Sequence, residues 1–223
     1  KNINGKKFLT AVIAGYEVAT RVGSAAGTDL LLRGFHPQGT HGTIASAVTA
    51  AKLMDFNKNQ ILHAIGIAGS LGAGLMAAQE GAMVKRLHSG RAAEAGVLAA
   101  ELAAKEFTGI TNIIEAEYGG FLSSFSGKNN FSRSTDKLGD VWECQNTGIK
   151  PYTSVTSIHA ALDCLKAIMK DNKISSNDIK EIKAKISHPT YVHCAWPYEN
   201  QSVTSAQMNI YYGLALIALE GEL

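Results

Sequence analysis

Apolar residues recur at helical spacing from Lys7 to Val22, at Phe8, Leu9, Val12, Ile13, Tyr16, Val18 and Ala19, with Gly23 as a C-terminal stop. Asp29 to Arg33 predicts a short helical turn that leads into a loop around His36. A second run, Thr43 to Met54, predicts a helix closed by Asp55-Phe56-Asn57-Lys58. Asn57 or Asn59 can cap a third helix, Gln60 to Ala78, and Ser89 or Gly90 opens a fourth that reaches about Phe107. The third helix is built from small residues, with Gly66, Ser70 and Gly74 four apart and Ala64, Ala68 and Gly72 on the adjacent row. Each mid-helix glycine costs roughly 1 kcal/mol relative to alanine. Their presence therefore points to a close approach by another helix or by a ligand, and both stay open from sequence.

After Tyr118-Gly119-Gly120-Phe121 the pattern changes, and residues 123–140, rich in Ser, Gly, Asn and Lys, predict a linker or mobile loop. Beyond it come an extended stretch over 141–149 and a helix, Ser157 to Lys170, with Ile158, Leu162, Leu165 and Met169 on one face. From Ile179, Ile182, Ala184 and Ile186 alternate with Glu181, Lys183 and Lys185, the period of a strand with one wet face. A helix from Ser205 to Leu219 closes the chain. The expected fold class is mainly α: an all-helical domain over 1–122, a linker over 123–140 and a smaller α+β domain over 141–223.

Composition supports a folded globular chain, with 46% hydrophobic and 18% charged residues among 223. The formal charge is +2, and basic residues are spread rather than gathered in a stripe, so no nucleic-acid partner is expected. The weakly polar run Ile61 to Ala78 carries His63, Ser70 and glycines, and reads as a buried helix rather than a membrane span. Lys1 to Lys7 lacks the pattern of a secretory signal, which leads to the expectation of a cytoplasmic chain. Cys144, Cys164 and Cys194 are widely spaced with no CxxC pair; they read as reduced structural thiols rather than iron–sulfur ligands, with Cys164 in a core.

Three dense clusters carry the candidate chemistry: Gly34 to Thr43, Ile67 to Gly74, and Met83 to Ala93. In the first, Pro37 biases His36 away from the helical region and Gly39 and Gly42 let the chain wrap tightly, so a loop is expected to fix the imidazole for proton transfer. His41 lies near the expected helix start at Thr43, where free N–H groups and the Thr40 and Thr43 hydroxyls suggest an anion site. The histidines have neither HxH nor HxxxH spacing, and no metal is expected. In the third cluster Lys85, Arg86, His88 and Arg91 interrupt the least polar third of the chain, where charge is costly to desolvate unless a partner compensates. Carboxylates of a substrate would compensate.

The runs Phe35-His36-Pro37-x-Gly39-Thr40-His41-Gly42-Thr43, Gly66-Ile67-Ala68-Gly69-Ser70, Lys85-Arg86-Leu87-His88-x-Gly90-Arg91-Ala92-Ala93-x-Ala95-Gly96 and Lys150-Pro151-Tyr152 resemble the MmgE/PrpD family. The family's reactions include dehydration of 2-methylcitrate, decarboxylation of cis-aconitate and epimerisation of iminodisuccinate. The resemblance implies a helical domain and a smaller lid, with the active site between them and no cofactor. It assigns His36 as an active-site histidine, Lys85 as a pocket lysine, Lys150 as a lysine from the lid and Tyr212 as a lid tyrosine. Thr40, His41, His88 and Arg91 fall in matching motifs and are expected to bind substrate. The implied function is a lyase acting on a small polycarboxylate, with dehydration of 2-methylcitrate in propionate metabolism expected first and decarboxylation or epimerisation as alternatives.

In this expectation Lys85 and Lys150 hold carboxylates while His36 moves a proton. Family members are longer than 223 residues, and the resemblance implies preceding helices with an Asp-containing motif and a second His-Pro histidine, and further segments after the end. With Lys1 in place of Met, the expectation is an incomplete chain, working as a homodimer or with a complementing chain, or else a non-catalytic fragment or subunit.

Overall fold

Residues 3–223 are described by a computed structural model, in which the chain divides into two units. The first runs to Met76 and resumes over Val84–Thr147; the second comprises Ala77–Met83 and Gly148–Leu223. Helices dominate both. Among the described residues there is no sheet, only the isolated bridges Phe35–Leu75 and Leu138–Val141.

In the first unit, α1 spans Gly5–Ala26, with the Asn4 side chain accepting the Lys7 N–H at 2.9 Å. The helix continues past the expected stop at Gly23 and ends at Gly27, whose φ of 66° is the left-handed conformation that favours glycine. Its buried face carries an ion pair that helical spacing alone does not announce. The Arg21 guanidinium donates to Glu17 at 2.6 Å and to the Asp136 and Val141 carbonyls at 2.7 Å each. Glu17 in turn accepts the Cys144 N–H at 3.1 Å. The stretch 123–140 lies within this unit: the Ser126 hydroxyl donates to the Ala26 carbonyl, the Asn130 N–H donates to the Ala25 carbonyl, and Phe131–Ser134 forms a 3₁₀ turn against α1.

The short α2, Asp29–Leu32, leads to α3, Pro37–Leu53. The segment expected as a loop after His36 is thus the first two turns of α3, because proline at N1 is already set to the helical φ and its missing N–H would have had no intrahelical partner. Helix α4, Lys58–Leu71, starts with a capping box between Asn57 and Gln60. It stops at Gly72 instead of reaching Ala78; Gly72–Gly74 is extended or irregular and Met76–Glu80 is 3₁₀. Within α4, a Cβ at Gly66 would lie 2.3 Å from the Ile110 carbonyl oxygen, and one at Gly69 would lie 2.5 Å from the Ile113 side chain. Close packing of the 109–113 chain accounts for these two small residues.

Helix α5, Val84–Ala104, opens well before the expected start at Ser89, so Lys85, Arg86 and His88 belong to its first turns. Buried Ala47, Ala51, Ala64, Ala68, Ala99 and Ala103 pack α3, α4 and α5 together. A second cluster joins Val22, Ala25, Leu30, Ile44 and Val48 to Phe121 of α6, Phe121–Phe125.

The second unit is helical, which corrects the expected α+β domain. Its core of Ile158, Leu162, Leu165, Cys194, Ile210, Leu214 and Ile217 joins α7, Thr156–Asn172, α8, His188–Cys194, and α10, Ile210–Glu220. Ile182 and Ile186 do pack on this core, so the alternation marks an extended segment with one inward edge, but among the described residues no neighbouring strand provides a ladder. The closing helix divides into α9, Val203–Met208, and α10, because the Asn209 side chain accepts the Tyr212 N–H and starts a new helix. Of the cysteines, Cys194 is buried, Cys144 half-buried, and Cys164 exposed rather than in a core. Burial pushes the Cys194 thiol up to about 12 against the opposing effect of a Ser157 hydrogen bond. No helix among the described residues is long and apolar enough to cross a membrane.

Candidate functional site

The three sequence clusters meet at one point of the first unit. His36 is the N-cap of α3, with the extended backbone (φ −81°, ψ 116°) that a following proline favours, and its side chain does not cap the helix. Three backbone bonds tie the chain after α4 to this corner: the His36 N–H donates to Gly74, the Ala73 N–H to Gly39 and the Met76 N–H to Gly34. His88 comes in from the second turn of α5. The two Nδ1 atoms lie 3.0 Å apart, with ring centroids at 5.1 Å and planes inclined by 56°.

The fit around the two rings depends on missing side chains. A Cβ at Gly74 would lie 3.1 Å from Cγ and Nδ1 of His88 and 3.4 Å from Cβ of His36, and one at Gly39 would lie 2.0 Å from the Ala73 carbonyl oxygen. Gly74 also has φ +134°, a conformation that side chains disfavour. Thr40 stands behind the pair and is fully buried, its hydroxyl donating to the His36 and Pro37 carbonyls at 3.2 and 3.0 Å. Thr43 likewise donates to the Thr40 and Ala68 carbonyls. The expected anion site at a helix start near Thr43 is corrected: this position is inside α3, and both hydroxyls are engaged with backbone.

Lys85, His88 and Ala92 follow at i, i+3 and i+7 and share one face of α5; Ala92 is buried, His88 and Lys85 are half-buried. Lys85 is in the first turn, where a cation opposes the helix dipole and an anion is favoured. Arg91 is turned to solvent and pairs with Glu94 one turn on, both side chains exposed. His41 is also separate from the pair, since it packs against Gly23 of α1. Its Nδ1 is buried with no hydrogen-bond partner, and desolvation lowers its pKa from 6.5 to about 4, which keeps the ring neutral at pH 7.

In the second unit, Lys150 is exposed and its ammonium donates to the Ser154 carbonyl at 3.3 Å. Nε2 of the buried His159 approaches the same carbonyl, also at 3.3 Å. Tyr152 packs edge-on against His159, and its hydroxyl donates to Asp163 at 2.5 Å, a bond that raises the tyrosine pKa. Tyr212, in the first turn of α10, lies against Tyr198 with ring centroids 4.8 Å apart. Among the described residues no group of three or more His, Cys, Asp or Glu is placed to hold a metal ion.

Residues 1–134 match the MmgE/PrpD N-terminal domain and residues 152–223 the MmgE/PrpD C-terminal domain. The chain belongs to the MmgE/PrpD family. Similar proteins include the cis-aconitate decarboxylase-like protein oryM of Aspergillus oryzae, 33% identical over 94% of this chain and 46% of the relative. The cis-aconitate decarboxylase of Aspergillus terreus is 30% identical over 97% of this chain and 47% of its own length. The Homo sapiens cis-aconitate decarboxylase is 28% identical over 98% of this chain and 46% of its own length. The chain spans about half the length of these curated relatives.

Within this MmgE/PrpD chain, the structure adds His159, Asn209 and the Arg21–Glu17 pair to the buried polar groups. A usable signal existed for His159, which adjoins Ile158 on the apolar face of a predicted helix. Arg21 and Glu17 are i, i+4 apart on α1, but such spacing is commonplace on exposed helix faces.

Proposed function

We propose that this chain provides part of a lyase acting on a small tricarboxylate, and that the reaction is decarboxylation of cis-aconitate or of a close analogue. The observation that carries the reading is the Nδ1–Nδ1 contact between His36 and His88 with Lys85 one turn away on the same helix face. Support for a decarboxylase over the dehydratase expected first from the sequence comes from the similar proteins in Aspergillus and Homo sapiens, which are named as cis-aconitate decarboxylases or as decarboxylase-like.

In this reading a substrate carboxylate meets the Lys85 ammonium near the start of α5, where the helix dipole also favours an anion. The departing carboxylate leaves as CO₂, and its bonding electron pair stays on the carbon skeleton, spread toward a neighbouring carboxylate. A cation beside that carboxylate stabilises the growing charge. An imidazole N–H then protonates the carbon, so one proton is taken up for each CO₂ released. Lys150 and Tyr212 enter the proposal through the family resemblance alone, as a second carboxylate holder and a hydroxyl donor. Thr40 is assigned an indirect part, holding the His36 carbonyl at the first turn of α3.

Titration calorimetry of the chain with cis-aconitate, 2-methylcitrate and citrate tests the binding step, and release of CO₂ against release of water separates the reactions. Lys85→Ala is expected to weaken binding of the preferred acid by about tenfold or more, as for loss of a charge-assisted contact worth about 1.5–3 kcal/mol. Equal affinity of wild type and Lys85→Ala for every acid would remove the basis of the proposal. Water release from 2-methylcitrate with no CO₂ from cis-aconitate would return the reading to dehydration.

A further inference from the structure

A contact between two imidazole Nδ1 atoms at 3.0 Å restricts where protons can sit. With no proton between them, two lone pairs face each other; with two, two N–H groups collide. One proton on one of the two Nδ1 atoms gives a hydrogen bond. A neutral imidazole carries a single N–H, so in the neutral pair the donor ring has a bare Nε2 and the acceptor ring must carry its proton on Nε2. One contact therefore makes the two outer nitrogens unlike: one is a base, the other an acid.

The surroundings fix this contact. Backbone bonds seat His36 at the N-cap of α3, and Gly74 and Gly39 leave room for the His88 ring and Cβ. The rings differ in access to solvent, since His36 is only 6% exposed and His88 is half-buried. A buried imidazole that has given its proton to a substrate carbon needs a route for the next one.

We propose that His88 is a positioning partner of His36: the two rings share one Nδ1 proton, so that His88 sets which nitrogen of His36 is protonated and passes a proton inward to it. The transfer balances. A proton arriving at Nε2 of His88 turns that ring into an imidazolium; its Nδ1 proton crosses to Nδ1 of His36, and His36 releases the proton on its own Nε2. One proton enters, one leaves, and both rings end in the opposite tautomer; before the next delivery the pair resets, with a solvent proton taken up at Nε2 of His36, the Nδ1 proton returning to His88 and Nε2 of His88 releasing its proton to water. The relay half of this proposal rests on the reading of His36 as the group that moves a proton in catalysis, whereas the pairing half does not.

The pairing is read on this chain by long-range proton–nitrogen NMR of ¹⁵N-labelled histidines at neutral pH. One of the two rings is expected to be protonated on Nδ1 and the other on Nε2. In His88→Ala, His36 is expected to lose its fixed tautomer. In His88→Asn, whose amide group reaches the position of the imidazole Nδ1, His36 is expected to keep one. Two rings both protonated only on Nε2 in the wild type, or a His36 tautomer unchanged by His88→Ala, would overturn the proposal.

Turnover tests the relay: His88→Ala is expected to lower kcat roughly 10²-fold, the low end of general acid–base effects, with KM little changed, and His88→Asn, which cannot pass a proton, to be equally slow. A kcat in either variant equal to that of the wild type overturns the relay. A wild type that shows the unlike tautomers yet turns over none of the acids would sink the decarboxylase reading and leave the pairing established.

Discussion

Replacing Gly74 by alanine puts one methyl group against the imidazole pair. The backbone there has φ +134°, and the new Cβ would stand 3.1 Å from Cγ and Nδ1 of His88. Holding an L residue in such a conformation costs about 1–3 kcal/mol. The ring must also retreat by a few tenths of an ångström, which stretches a 3.0 Å contact and weakens a hydrogen bond worth about 0.5–1.5 kcal/mol. Together these give a loss of roughly 1–4.5 kcal/mol. At about 2–4 °C per kcal/mol for a chain of this size, the melting temperature should fall by roughly 2–18 °C.

Gly90→Ala is the internal control, since Gly90 lies inside α5 with nothing within 4 Å of the added methyl. It should raise stability by up to about 1 kcal/mol, through helix propensity and a less flexible unfolded chain. Thermal unfolding followed by circular dichroism, with histidine NMR on both variants, makes the comparison. A Gly74→Ala chain that melts with the wild type and keeps unlike tautomers on His36 and His88 would show that the methyl group does not press on the pair, and a Gly90→Ala chain that loses as much as Gly74→Ala would show that the loss is not specific to that corner.

Arg21→Met leaves the Glu17 carboxylate buried without its cation and should cost about 3–5 kcal/mol, while adding Glu17→Leu should recover part of that loss; chemical denaturation of both variants reads the difference, and a double variant less stable than the single would contradict it. For His41 the folded pKa of about 4 lies below the ordinary imidazole value of 6.5, so between these values the unfolded chain binds more protons and stability falls as pH falls. The loss amounts to about 3 kcal/mol by the time pH drops below the folded pKa. His41→Met should remove this contribution, seen as a shallower dependence of denaturation midpoint on pH between 6.5 and 4; equal slopes would show that the ring is not held neutral. Asn209→Ala removes the cap of α10 and the bond to the Trp196 carbonyl, and should cost about 1–3 kcal/mol with loss of the Tyr198–Tyr212 contact; unchanged tyrosine NMR signals would count against that link.

Mainly helical character, the position of most helices and the residue types that carry the candidate chemistry were legible along the chain, because apolar periodicity, caps and short motifs are local and act within a few residues. Misreadings were also local in origin. Pro37 and the glycines after His36 read as a loop, yet proline at N1 starts a helix, and Gly39 is needed where the Ala73 carbonyl approaches. Ile182 and Ile186 alternated as a strand would, but whether an extended segment becomes a strand depends on a partner that the alternation cannot supply.

Which of the histidines and cations meet is a matter of packing. The motifs singled out His36 and Lys85 for catalysis and left His41, His88 and Arg91 as undifferentiated substrate-binding candidates. Packing of α3 against α5 and of Gly72–Leu75 against the start of α3 joined His36 to His88. It put Lys85 one turn away, turned Arg91 to Glu94 and left His41 against α1. What limits a sequence motif is reach: a hydrogen bond requires about 3 Å between atoms, and residues 52 positions apart in the chain come that close here because helices pack through glycine and alanine.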